Sequence, residues 1–200
     1  MNEFQNVMKT VRTMLESTED KIFVLDFLLE MIGREAVYIS SNHLLYLAEK
    51  QLPSEYASQF LFPFTDQILR TSKKRVNFDL WGNNIICSPW SLARLNFAID
   101  DIAQNGYIVN PKNMPEGVFY PELKTGIITN NVHHTYVAKA ENCGIADMYI
   151  EPLEPYFSQI TTDGSYWYNN GEKQYKVQNY YMAILYCLAQ EKYQLKQNDT

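Results

Sequence analysis

Residues 126–144, GIITNNVHHTYVAKAENCG, constrain this chain more than any other segment. Ile127-Ile128 reads as a short apolar strand, Asn130-Asn131 as a tight polar turn, and the residues from His133 onward as a short helix that stops at Gly144. A strand that enters a helix through so short a turn commits the chain to a mixed α/β arrangement. It also leaves the amides of the first helical turn without carbonyl partners, at the positive end of the helix dipole. Such a seat accepts an anion. Asn130, Asn131, His133, His134 and Thr135 are therefore the candidate ligand-binding residues.

Helical spacing dominates the first third of the chain. Phe4, Val7, Met8, Val11 and Leu15 make one amphipathic helix, and Ser17 to Asp20 can start a second. That second helix is apolar almost all round from Ile22 to Ile32, so it is expected to be a central buried element stopped by Gly33. Asn42 can cap another helix through Ala48, and Ser54 to Phe60 and Thr65 to Leu69 read as shorter helical pieces.

Composition changes after Thr71. Val76, Phe78 and Leu80 alternate with polar residues, and Gly82-Asn83-Asn84 then leads into Ile85-Ile86-Cys87, which together predict a hairpin or paired strands. Ser88 to Ser91 introduces a helix with an inward stripe of Leu92, Leu95, Ile99 and Ile102, stopped at Asn105-Gly106. Strands are expected at 118–120 and 145–150, a small aromatic hairpin around Tyr166 to Tyr168, and a long terminal helix from about Asn179 to Leu195. The fold class is α+β. A helical N-terminal subdomain over residues 1–72 precedes a mixed subdomain over 73–200, in which a small mixed sheet is flanked by helices.

Several function classes are disfavoured by composition. A net charge of −6 opposes broad attraction to phosphate backbones, and the only basic run is Lys73-Lys74-Arg75, so nucleic acid is not the expected partner. The same acidity suits a basic protein partner. The most apolar stretch is too short to span a bilayer and carries Asp26 and Glu30. Three cysteines without C-x-x-C spacing indicate neither a disulfide framework nor a zinc knuckle, which places the chain in the reducing cytoplasm. Adjacent His133 and His134 project differently on a helix, which disfavours a metal site, and no cofactor is indicated.

From residue 85 to 151 the order is strand, helix ending in Asn-Gly, extended segment, strand, strand, polar turn, helix, glycine, strand. With the segments IDDIAQNG, IITNNVHHTYVAKAENCG and IADMYIEP in those places, this third of the chain resembles the ParB/sulfiredoxin-like fold family. The resemblance implies a Gly-x-His-Arg or Gly-x-Arg-Arg turn. Asn131 would stand at its glycine, Val132 at its variable position, and His133 and His134 at its two basic positions. Val132 is no nucleophile where sulfiredoxin-like members carry a reactive cysteine, so sulfinic-acid reduction by that route is not expected. His134 replaces a permanently charged arginine, which weakens a phosphate clamp.

Two functional readings follow. One is a noncatalytic binder of a nucleotide or small anion at 130–135; the other is a noncatalytic interaction module, such as an immunity or inhibitor protein, that presents an acidic, tyrosine-rich surface. Beside both stands a purely local reading of the turn, with Asn131 left-handed, Thr135 or Asn131 capping the helix, and the histidines bonded nearby. Asp163, followed by glycine, reads likewise as a turn residue before it reads as a catalytic acid.

Overall fold

The computed structural model describes residues 3–48, 53, 56–64, 74–108 and 114–198. Helices α1 (Glu3–Glu16) and α2 (Lys21–Asn42) open the chain, and α3 (Leu92–Asn105), α4 (Val132–Ala140) and α5 (Tyr180–Asn198) follow later. A five-stranded mixed sheet contains β1 (Arg75–Asp79), β2 (Asn84–Ile86), β3 (Glu116–Tyr120), β4 (Thr125–Asn130) and β5 (Ile145–Ile150), in the order β1-β5-β3-β4-β2. A second sheet is antiparallel, with β6 (Ile160–Thr162), β7 (Tyr166–Asn169) and β8 (Glu172–Lys176) in chain order. The architecture is α+β.

The centre of the large sheet is buried on both faces, so β2, β3 and β4 carry consecutive apolar residues, whereas the edge strand β1 is largely exposed and alternates. Ile86, Val118, Tyr120 and Ile127 point into a cluster with α1, α2 and α5. Their neighbours Ile85, Phe119 and Ile128 point the other way, toward Val132 and Ala138 of α4. The period of two thus splits each strand between two cores. The first core is strongly aromatic: Phe62 stacks on Tyr186 at 5.2 Å between ring centroids and meets Trp167 edge-on at 5.3 Å. Through Trp167 the small sheet is sealed onto the same cluster. The expected division near residue 72 lies outside the described residues, and one cluster joins residues on either side of it.

Four expectations need correction. Gly33 does not stop α2, because its lack of a side chain serves packing: a Cβ there would lie 2.8 Å from Asn84 Nδ2, where the helix crosses edge strand β2. The helix is not buried all round either. Leu25, Leu28, Leu29 and Ala36 face the core, while Phe23, Phe27, Met31 and Tyr38 lie exposed. Asp26, polar within this helix, is held by Lys124 and by Lys192 of α5, the latter at 2.7 Å. Third, β1 and β2 are not paired, since they occupy opposite edges of the sheet with β5 and β4 as their partners. Fourth, the stripe of α3 is only partly inward, with Leu95 and Ile102 half-buried. The helix turns the small Ala98 toward the protein and leaves Leu92 and Ile99 exposed.

The rest of the N-terminal third is also tighter than a run of helices. A 3-10 turn at His43–Tyr46 continues directly from α2 with no side-chain cap from Asn42, and another spans Tyr56–Phe60. The expected piece at 65–69 lies outside the described residues.

Gly117 marks the tightest contact in the sheet. At the register shift between β3 and β4, an added Cβ would fall 2.2 Å from the Ile127 carbonyl oxygen, a backbone atom that cannot rotate away. Gly117→Ala should therefore destabilise the protein by about 2–3 kcal/mol, the usual cost of overpacking a sheet interior. Chemical denaturation would check this, with Gly82→Ala, whose Cβ meets nothing within 4 Å but whose φ of +80° still carries strain, as the comparison.

Candidate functional site

The strand–turn–helix segment forms as expected, and its geometry explains where its groups point. Asn131 is left-handed, with φ 55° and ψ 34°, and is followed by the right-handed first residues of α4. Successive residues of opposite hand turn consecutive amides toward one concavity, the backbone geometry of a nest. Its carbonyls and side chains are tied back into the protein. Thr135 donates its hydroxyl to the Asn131 carbonyl at 2.7 Å, and the Cys87 thiol donates to the Val132 carbonyl at 3.1 Å. The Asn131 amide donates to the Asn130 carboxamide at 2.8 Å. Asn131 makes no side-chain cap, and Thr135, being fully buried, makes none either.

His133 and His134 have different tasks. The ring of His133 is buried; its Nε2 accepts the Ser91 amide at 3.2 Å and its edge meets Trp90, with centroids 5.2 Å apart. Burial lowers its pKa to about 4, aided by the charge of Arg94 and by His134. It is neutral at pH 7, with the ring proton on Nδ1 and Nε2 left as acceptor. His133 thus ties the start of α4 to the start of α3. His134 remains partly exposed, with its Nε2 3.2 Å from Asp101 Oδ2 on α3 and its ring edge-on to Phe97.

The third histidine is nearer than chain position suggested. His43 Nε2 donates to the Pro89 carbonyl, in the loop that precedes α3, and its ring lies against Tyr56. Burial lowers its pKa as well. All three histidines therefore hold α3 or its leading loop to the rest of the protein. No group of three His, Cys, Asp or Glu side chains able to hold a metal gathers among the described residues.

Between the first turns of α3 and α4 lies a cleft of about 570 Å³, lined by Trp90, Arg94, Phe97, Met114 and residues 129–134. All of the candidate ligand residues except Thr135 reach it. A smaller recess of about 330 Å³ continues past His134 and Asn131 to Asp101, Asn105 and Tyr107. Arg94, over the Trp90 ring at 4.7 Å, is the cleft's cation. The turn itself does not contain it, and sequence reading passed over it. A local signal was present: Arg94 is the third residue of α3 after its cap Ser91, and the positive end of a helix disfavours a cation there. A side chain placed against that preference marks functional or strained positions.

Other candidate groups are engaged elsewhere. The Asp163 carboxylate accepts the amides of Ser165 and Tyr166, both at 2.7 Å, and the Tyr168 hydroxyl at 2.8 Å. Although burial pulls its pKa up, these hydrogen bonds hold it below the ordinary carboxylate value, as suits a turn residue. Glu122 accepts the Leu153 amide at 3.0 Å. Cys87 is buried, and burial pushes its thiol up to about 12.

The His133 bridge makes stability depend on pH. The imidazole titrates near 6.5 when unfolded and near 4 when folded, so between these values the unfolded chain binds more protons. Its contribution is complete above pH 6.5 and is lost as pH falls through 4, a difference of roughly 3 kcal/mol. Urea unfolding at pH 7 and pH 4.5 should show this loss, and His133→Gln should flatten it.

No curated protein and no solved structure matches this chain. Among the described residues no helix is long and apolar enough to cross a membrane. Residues 1–199 match the model of a family of unknown function, DUF6710, and the chain belongs to that family.

Proposed function

We propose that the protein binds a nucleotide or another small anion in the cleft between α3 and α4, without transforming it. The observation that carries this reading is the meeting of the α4 first-turn amides with the Arg94 guanidinium across one open cleft. The amides of Val132, His133 and His134 have no carbonyl one turn back along α4. Arginine supplies a permanent charge and a bidentate donor fork. Trp90 and Phe97 add aromatic faces beside the anion seat.

The same residues support placing segment 85–151 with the ParB/sulfiredoxin-like family. Asn131 adopts the left-handed conformation that a turn glycine would take, and Gly106 and Gly144 stand at positive φ after α3 and α4. Val132 at the variable position, and His133 held neutral as a structural acceptor, favour binding over catalysis. The free thiols Cys87, Cys143 and Cys187 support a reducing, cytoplasmic setting.

A ligand at a hundred times its Kd stabilises the fold by about 2.7 kcal/mol, or about 5–10 °C for a chain of this size. Thermal shift and calorimetry with nucleotides, with and without magnesium, and with inorganic phosphate, should show such a gain for at least one of them. Arg94→Ala should abolish most of it while leaving the unliganded Tm within about 1 °C, because Arg94 is exposed. No gain with any of these anions, or an equal gain in the variant, would remove the cleft from consideration.

A further inference from the structure

The cleft between α3 and α4 does not end at its anion seat. Its lining and that of the smaller recess share Asn131 and His134, so the two form one continuous groove. One wall of that groove is a single face of α3, with Arg94 and Phe97 in the first part and Asp101 and Asn105 in the second. At helical spacing these four side chains share a ridge, and Arg94 and Asp101 stand about 10.5 Å apart along the helix axis. Polarity reverses along the ridge. The near end offers the Arg94 guanidinium and the first-turn amides of α4, whereas the recess offers the Asp101 carboxylate and, among its lining residues, no lysine or arginine. An anion is therefore held at one end only, and the other end asks for hydrogen-bond donors.

Asp101 has acceptor capacity left for them. Its Oδ1 accepts Asn105 Nδ2 at 2.8 Å and its Oδ2 lies 3.2 Å from His134 Nε2, which engages one lone pair on each oxygen and leaves one on each. The side chain is 40% exposed. Two open acceptors side by side match a pair of adjacent hydroxyl groups. An ammonium would also pair with the carboxylate, but the recess of about 330 Å³ has the room of roughly ten waters, far more than such a head group fills. A sugar ring fills it, with its carbon skeleton against Ile102 and Tyr107. Resting on the anion reading of the cleft, we infer that the groove takes a phosphorylated sugar, with the phosphate at the α4 turn and Arg94 and vicinal hydroxyls on the Asp101 carboxylate. A ribose 5-phosphate unit has this chemistry whether it is free or part of a nucleoside 5′-monophosphate.

Calorimetry of the full chain with inorganic phosphate, ribose 5-phosphate, 2-deoxyribose 5-phosphate and adenosine 5′-monophosphate tests the inference. Ribose 5-phosphate should bind about 10-fold or more tighter than inorganic phosphate, and loss of the 2-hydroxyl should cost about 10-fold, because a hydrogen bond to a charged acceptor is among the stronger ones. Asp101→Asn should shrink the advantage of ribose 5-phosphate over phosphate to about 2-fold or less. The deoxy comparison needs no substitution, so it decides the matter even where that variant folds poorly. Equal affinity for ribose 5-phosphate and adenosine 5′-monophosphate would assign the free sugar phosphate, and tighter binding of the latter would assign the nucleotide; both outcomes support the inference. Ribose 5-phosphate no tighter than phosphate, or no loss with the deoxy sugar, would overturn it and leave the anion seat standing. No binding by phosphate or by any of the three sugar phosphates would remove the seat as well.

Discussion

Burial of the centre of the five-stranded sheet on both faces is the constraint from which the rest of the structure follows. A sheet so placed needs a layer on each side, and this chain supplies two unequal ones. The larger layer takes the N-terminal helices, the terminal helix and the aromatic small sheet. The smaller takes α4, with α3 resting on it, and the candidate cleft belongs to this thinner side. Gly117 and Gly126 show how tightly the strands sit, because a Cβ at either would meet the opposing strand or Met148 below 3 Å. The turn at 129–131 therefore hangs from a rigid strand and is held in place by the sheet behind it.

Much of this was legible wherever a local rule decides the outcome. Asp20 and Ser91 cap helices because a short side-chain acceptor reaches the free amides, and Gly106 stops α3 because it takes positive φ; α4 instead ends on left-handed Asn142, at φ 56°, two residues before the expected Gly144. The strand–turn–helix segment was likewise set by neighbours in sequence. The inward stripe of α1 was legible too, but the faces presented by α2 and α3 and the pairing of β1 and β2 were not. Apolar residues all round α2 implied burial, yet a sheet lies on only one side of a helix. Adjacent apolar runs at 76–80 and 85–87 implied pairing, yet β5 and β4 compete for them and win. For the site, the turn residues were readable, but Arg94 was not, since its proximity comes from the packing of α3 on α4.

Three imidazoles do the positioning that a larger core would otherwise do. Helix α3 buries little of itself, and its main neighbour is α4. His43 holds the loop before it, His133 its first turn and His134 its middle. Two of these rings are neutral by virtue of burial, so each fixes a hydrogen bond without placing a charge in the cleft. Arg94 is then left as the cleft's cation, on a chain whose net charge is −6.

The separation of β1 and β2 to opposite edges also governs when the protein can first be a protein. Strand β1 finds no partner until β5 exists, so Arg75 waits for Tyr149. During synthesis at roughly 5–20 residues per second, the stretch from 75 to 149 leaves that edge unpaired for several seconds. Its sequence fits the wait. Arg75, Asn77 and Asp79 alternate along β1 and discourage the emerging strand from joining another chain before its own partner arrives.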